Sequence, residues 1–224
     1  MYRLLIPLCV LLMTGCEKID ESQFSPLQPE SCEYVVMVAI DMSSSFGGYM
    51  AEDGKAYEFM QQVVERYFRD RIGGNDQIII TQLSGNKRPL LWQGTPFQLR
   101  KDFPNKAAFR DFLIAKANPN GSRINDGIRE SLRYLLHTHS VGRGNAKTVA
   151  LILSDMEDSF EDQEESDQRL IDSLTNYAKR GSIGFYYCSQ DRLEDIENKL
   201  EQAGISMYVL ECDIHGNPPL PSFD

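Results

Sequence analysis

Residues that carry several common chemistries are scarce in this sequence. It has 3 histidines, and His137 and His139 stand two positions apart on a predicted helix, where they cannot share a face. Its 5 cysteines form no Cys-x-x-Cys pair, which argues against a zinc ribbon or a thioredoxin-like centre. No Gly-x-Ser-x-Gly elbow is present either. We therefore expect neither a histidine-bound metal nor a histidine base.

Positive charge is also limited. The chain carries 23 Lys and Arg residues against 33 Asp and Glu residues, for a formal net charge of −10. It has no basic patch of the kind that nucleic-acid binding requires. What the chain does have is length and apolar content, since 42% of its 224 residues are hydrophobic. That is enough for one substantial domain with its own core.

The first sixteen residues have the features of an export signal. Arg3 precedes an apolar run at residues 4–13, too short to span a bilayer, and Thr14-Gly15-Cys16 follows as a small-residue site. This end of the run resembles the lipobox of bacterial lipoproteins, with Met where Leu is usual. The resemblance implies cleavage after Gly15, acylation of Cys16, and a place in the bacterial cell envelope, facing the periplasm or the cell exterior. The alternative is an ordinary secretory signal that contains a cysteine.

The sequence divides into four segments. Residues 1–15 are the predicted signal peptide, and residues 16–31 are the lipidated cysteine with a polar, proline-containing tether. Residues 32–213 form the predicted domain. Residues 214–224 are a proline-rich tail that we expect to be loose.

Predicted strands and helices alternate along the domain. The strands fall at residues 33–42, 77–83, 89–93, 148–153, 183–188 and 207–212. The helices fall at 54–69, 106–117, from 124 to a closing turn at 142–145, at 170–179 and at 192–203. Residues 43–53 are predicted as a loop. The second and third strands are close enough to form a hairpin, so one edge strand is antiparallel. The predicted fold class is α/β: a Rossmann-like, doubly wound, mostly parallel central sheet with one antiparallel edge strand and helices on both faces.

Oxygen-bearing side chains follow the first strand directly. The apolar run 35–40 is typical of a strand buried on both faces, and Asp41, Ser43 and Ser45 come next. Open α/β sheets place their ligand sites at the carboxyl ends of strands. A carboxylate and two hydroxyls are hard ligands, which suit Mg²⁺, Mn²⁺ or Ca²⁺. The alternative is an Asp that caps the next helix beside a Ser-rich turn.

Two further loops carry matching residues: Ser122 precedes a helix, and Asp155 follows a buried strand. With Asp41-x-Ser43-x-Ser45 they resemble, in order, the three loops of the metal-ion-dependent adhesion site in von Willebrand factor A domains, over roughly residues 33–213. The resemblance implies that Ser43 and Ser45 bind the metal directly, Asp41 and Asp155 through water, and Ser122 in either way. It also implies Mg²⁺ (or Mn²⁺ or Ca²⁺), with one coordination position open to an acidic side chain of a protein partner.

Two positions depart from the family pattern. Ser122 stands where the family has Thr, so its hydroxyl lacks the methyl group that would restrict its rotamer. Met156 stands where Gly usually follows the Asp, and we expect it to reshape that turn.

Other candidate residues surround these loops. Phe46 and Tyr49 are candidate partner contacts, although aromatic residues there are more often packed. Glu157 and Asp158 are also candidate contacts and begin an acidic segment, which is either a rim that attracts cations and basic partners or a solvated loop. Cys188 and Cys212 end predicted strands that would be neighbours in the family's sheet. They form either a disulfide or buried free thiols.

The leading functional hypothesis is a lipid-anchored, non-enzymatic binding module that captures a protein partner through the metal. The first alternative is a metal-dependent hydrolase. Asp126 and Asp158 are its nearest candidate base or nucleophile, but neither has a clear activating partner. The second alternative is a structural component of an envelope complex whose metal site is vestigial.

Overall fold

The computed structural model describes residues 32–70, 74–83, 88–116, 123–142, 145–157, 163–212 and 218–223. Within these ranges six strands form one sheet with the order β3-β2-β1-β4-β5-β6. The strands are β1 (Tyr34–Ile40), β2 (Gln77–Gln82), β3 (Leu90–Gly94), β4 (Lys147–Leu153), β5 (Gly181–Tyr186) and β6 (Tyr208–Glu211). Only the β2–β3 pair is antiparallel among the pairings described. The predicted mostly parallel sheet with one antiparallel edge strand is therefore confirmed.

Eight helices are described, four on each face of the sheet. The first face carries α1 (Ser44–Ala51), α2 (Lys55–Phe68), α3 (Pro96–Asp102) and α4 (Lys106–Lys116). The second face carries α5 (Ile124–His137), α6 (His139–Gly142), α7 (Gln163–Tyr177) and α8 (Leu193–Gln202). Helices on both faces complete the predicted doubly wound arrangement.

The central strand β1 is apolar along most of its length because it contributes to two cores. In β1, Val36, Val38 and Ile40 pack toward the first face. The alternate residues Val35, Met37 and Ala39 pack toward the second. Every one of these side chains is at most 1% exposed. Successive strand residues point to opposite faces, so a strand with helices above and below it has no solvent-facing side.

Four helical segments differ from the sequence prediction. The predicted helix from residue 124 to the turn at 142–145 is divided into α5 and α6, because the chain leaves the helical conformation at Thr138. Helix α1 occupies residues predicted as a loop, because its glycines break any helical pattern while Phe46, Met50 and Ala51 are buried against the first core. Helix α3 was not predicted; a capping box at Thr95 and Gln98 begins it. Helix α7 begins at Gln163, seven residues before the predicted start at Leu170. The acidic first turn of α7 is solvent-facing, so apolar periodicity does not reveal it.

The tail is packed rather than loose over residues 218–223. The Tyr67 hydroxyl donates to the Pro221 carbonyl over 2.6 Å, and the Tyr186 hydroxyl donates to the Pro219 carbonyl over 2.8 Å. The Phe223 ring lies 4.4 Å from the Tyr34 ring, centroid to centroid. Two tyrosine hydroxyls from different elements therefore hold the tail against the first face.

The cysteines at the far edge of the sheet are free thiols in the structure. Cys188 and Cys212 follow neighbouring strands, as expected, and the Cys188 amide donates to the Glu211 carbonyl over 3.2 Å. No bond joins the two sulfurs. Burial raises the pKa of the Cys188 thiol to about 12. The structure thus describes two free thiols, and the disulfide stays a prediction.

Over the described residues, no helix combines the length and apolar character needed to cross a membrane. The predicted signal peptide and tether, including Cys16, lie outside those residues.

Candidate metal centre

Asp41 lies at the centre of the carboxyl edge of the sheet. The register pairs Ile40 of β1 with Leu153 of β4, so the residues that follow these two strands are neighbours. The Asp41 side chain is 0% exposed. Its Oδ1 accepts from the Ser43 amide over 2.8 Å, and its Oδ2 accepts from the Ser154 hydroxyl over 3.2 Å. The carboxylate is thus held by the loop after each strand.

Ser154 is a site residue that the sequence analysis missed. Besides donating to Asp41, its Oγ accepts from the Met156 amide over 2.9 Å. It is 0% exposed. Its polar side chain follows the apolar strand β4 and precedes Asp155, and this position could have identified it as a site residue from the sequence. Ser154 therefore connects the first loop to the third.

The carboxylates of Asp41 and Asp155 both have a raised pKa. Burial raises the pKa of Asp41 to about 6, and the negative charge of Asp155 adds to the effect. Burial also raises the pKa of Asp155, and the nearby Glu157 carboxylate acts in the same direction. The Arg192 guanidinium acts in the opposite direction on the pKa of Asp155. A cation between these groups would relieve both the desolvation and the repulsion.

The turn after Asp155 keeps a glycine-like backbone although it has no glycine. Met156 has a φ of 63°, in the left-handed region, and it is only 9% exposed. Met156, which stands where the family has Gly, therefore has a backbone conformation that glycine adopts without strain. That Met156 reshapes the turn relative to the family pattern stays a prediction. The buried side chain holds the turn in place by packing into the second core.

A comparison with protein families decides what the chain is. The model described as the von Willebrand factor type A domain matches residues 36–217, which is most of the chain. The chain belongs to the von Willebrand factor type A domain family. No curated protein matches the sequence.

Solved structures with a similar fold include two proteins. The proximal thread matrix protein 1 from the mussel byssus is 16% identical, with a TM-score of 0.48, over 82% of this chain and 44% of that one. The pilus adhesin SpaC from Lactobacillus rhamnosus GG, in an open conformation, is 10% identical, with a TM-score of 0.48, over 83% of this chain and 29% of that one. This chain therefore spans less than half the length of either protein.

The described part of this von Willebrand A domain brings together three of the five predicted metal ligands. Asp41, Ser43 and Asp155 lie at the carboxyl ends of β1 and β4. The side chain of Ser45 and all of Ser122 lie outside the described residues. Helix α5, which follows Ser122, begins at the same edge, because Gly127 packs closely against Leu83 at the end of β2.

The donor set fits a hard cation bound mainly by hydroxyls. Among the residues described, no group of three or more His, Cys, Asp or Glu side chains could hold a metal. The predicted ligands are two carboxylates and several serine hydroxyls. A group of His, Cys, Asp and Glu side chains does not include such hydroxyls. The buried Asp41 carboxylate beside the half-buried Asp155 is the feature that a divalent ion would stabilise. Mg²⁺ takes one or two carboxylates and keeps waters.

The candidate partner contacts have different outcomes. Phe46 is 6% exposed and packs edge-on against Tyr187, with 6.1 Å between ring centroids. It is a core residue and not a contact, because α1 turns it inward. Glu157 is exposed beside the centre and accepts from the Ser189 hydroxyl over 3.3 Å. The side chain of Tyr49 and all of Asp158 lie outside the described residues.

Proposed function

We propose that this von Willebrand A domain is a lipid-anchored module that captures a protein partner through a divalent cation. Asp41, Ser43, Ser45, Ser122 and Asp155 would hold the ion, and Mg²⁺ fits the set best. The bound cation would supply an open coordination position that accepts a carboxylate from the partner. Cys16 would carry the lipid and keep the domain at the envelope surface.

The observation that carries the proposal is the buried Asp41 carboxylate beside Asp155. An ionised Asp41 in this position destabilises the folded state unless a cation balances it, since burial and the charge of Asp155 raise its pKa. The Ser43 amide and the Ser154 hydroxyl already orient Asp41. An oriented, desolvated carboxylate loses little entropy on binding an ion.

The hydrolase alternative receives no support from Asp126. Its carboxylate faces Arg129 at 3.1 Å and Arg123 at 3.8 Å. Two guanidinium groups thus pair with its carboxylate oxygens, so it is a poor candidate for a base or nucleophile. Asp158, the other candidate, lies outside the described residues.

Metal titration tests the proposal. In the chain from Glu30 onward, Mg²⁺ or Mn²⁺ should raise the melting temperature, because the unfolded chain has no preformed site. At a free concentration of 100 times the Kd, the gain is roughly 2.7 kcal/mol. Asp41→Ala should abolish the gain, and chelator should release the partner captured from an envelope extract.

Asp53→Ala is a matched control, because it removes one exposed carboxylate from the segment after α1 without touching the proposed ligands. It should keep the full response to metal. If wild type and Asp41→Ala respond identically, the domain has the family's fold without its metal site.

A further inference from the structure

A groove on the first face has a charge opposite to that of the chain. It has a volume of about 670 Å³ and is lined by the second half of α2, by Arg100 of α3 and by residues 218–220 of the tail. Ligand sites have volumes of about 300–1,000 Å³. No lining residue belongs to the loops of the candidate metal centre. The groove is therefore a separate surface.

Arginines dominate the charge of this groove. Arg66, Arg69 and Arg100 line it, and Glu65 is the one acid among its lining residues. Arg69 pairs with Glu65 over 2.5 Å. Arg66 and Arg100 form no ion pair with any residue in the described ranges. Two uncompensated guanidinium groups thus face one groove, in a chain whose formal net charge is −10.

The neighbouring tail shows how an extended chain binds at this face. Residues 218–220 form one wall of the groove. Tyr67 and Tyr186 bind the tail by donating to the carbonyl oxygens of Pro221 and Pro219. An extended segment is thus held through its main-chain oxygens, beside arginines that remain open to solvent. Gln61 also lines the groove, and its side-chain amide can bind a peptide main chain.

We propose that this groove binds an extended acidic segment of a protein partner, independently of the metal. Arginine forms a planar fork of donors that matches a carboxylate, and Arg66 and Arg100 supply two such forks. A concave surface favours a peptide over a bilayer, whose plane of headgroups cannot enter it. The negative charge of the rest of the chain repels long polyanions such as nucleic acid, whereas a short acidic segment needs only the local field.

Peptide binding tests this proposal in the full-length protein, purified in a neutral detergent. The probe is fluorescein-labelled hexaglutamate, measured by fluorescence polarisation in chelator so that no divalent ion contributes. Labelled hexaglutamine is the uncharged comparison. We expect hexaglutamate to bind with at least tenfold higher affinity than hexaglutamine, and Arg66→Glu/Arg100→Glu to weaken its binding at least tenfold.

Arg110→Glu/Lys116→Glu is the matched control. It changes the net charge equally, on exposed positions of α4 that do not line the groove. It should weaken binding less than threefold, and both variants should melt like wild type. Equal weakening by the two variants, or no binding of hexaglutamate to wild type, would overturn the proposal. The proposal would also be overturned if the wild type bound anionic vesicles but not the peptide, and if the groove variant lost that vesicle binding. Because chelator is present throughout, failure here leaves the metal-dependent function untouched.

Discussion

Asp41 is ionised at neutral pH in a place that disfavours its charge. Its pKa is raised from 3.8 to about 6, first by burial and then by the charge of Asp155. One unit of pKa corresponds to about 1.4 kcal/mol, so the ionised group lowers the free energy of unfolding by on the order of 3 kcal/mol. This loss of stability arises at a position where a bound cation would remove it.

The pH dependence of stability follows from this shift. Between about pH 4 and pH 6 the folded state holds a proton that the unfolded state has released, so the free energy of unfolding falls as pH rises. Above about pH 6 the free energy of unfolding does not fall further through Asp41. Asp41→Asn carries no charge and keeps an acceptor for the Ser43 amide. In chelator it should be more stable than wild type, by up to about 3 kcal/mol at pH 7.

Urea unfolding of both proteins at several pH values measures this difference. Other titrating groups cancel in the comparison, so the difference should shrink toward zero below about pH 4. Saturating Mg²⁺ should reduce it at pH 7, because the ion favours wild type alone. A difference that does not depend on pH would contradict the raised pKa.

Met156 tests backbone strain at a single residue. A left-handed φ costs a non-glycine residue roughly 1–2 kcal/mol, and the φ of Met156 is 63°. Met156→Ala and Met156→Gly both remove the buried side chain, but only glycine relieves the strain. The Gly variant should therefore be more stable than the Ala variant by about 1 kcal/mol, measured by urea unfolding.

The Ala and Gly substitutions at Gln168 show which variant is the more stable where the backbone is not strained. Gln168 is exposed in the middle of α7, where Ala should be more stable than Gly by roughly 0.5–1 kcal/mol. If Met156 shows the order of Gln168, its turn is not strained in solution.

At the scale of elements, the tail and α2 form one unit. The Tyr67 hydroxyl bonds the Pro221 carbonyl, and the Tyr67 and Phe223 rings lie 4.9 Å apart. Tyr67→Phe should lower the free energy of unfolding by about 1 kcal/mol, the value of one such hydrogen bond. In a chain that ends at Asn217 the same substitution should cost almost nothing, since its acceptor is gone.

A double-mutant cycle of Tyr67→Phe and the shortened chain measures the coupling directly. If Tyr67→Phe lowers the free energy of unfolding equally in the full chain and in the shortened chain, the Tyr67 hydroxyl does not stabilise the protein through the tail. The result matters for the arginine groove, because the tail forms one of its walls.

At the scale of the whole molecule, the lipid anchor at Cys16 is a prediction that cell fractionation can test. Cys16 follows an apolar run and a small-residue site. Cys16→Ser should move the protein from the membrane fraction to the soluble fraction, or leave the signal uncleaved, because no sulfur remains to acylate. Fractionation with mass determination of the mature N-terminus distinguishes these results. A variant that stays in the membrane with its signal removed would contradict the lipoprotein prediction.

Local pattern was sufficient for much of this protein. The strands β1 and β4 are read directly from their apolar runs at residues 35–40 and 149–153, because a strand covered on both faces has few polar positions. The close spacing of β2 and β3 predicted the antiparallel edge. Asp41, Ser43 and Asp155 were identified because polar residues follow those runs abruptly. These features depend on a few neighbouring residues, so the sequence by itself determined them.

Other features depend on contacts between distant segments, and only the tertiary structure decided them. Helix α1 forms over two glycines because the first core buries one side of it, and Phe46 faces inward for the same reason. The tail is ordered by hydroxyls of Tyr67 and Tyr186, which no local pattern connects to it. Ser154 meets Asp41 across 113 positions of sequence. Burial is a property of the assembled sheet, and the raised pKa of Asp41 follows from burial.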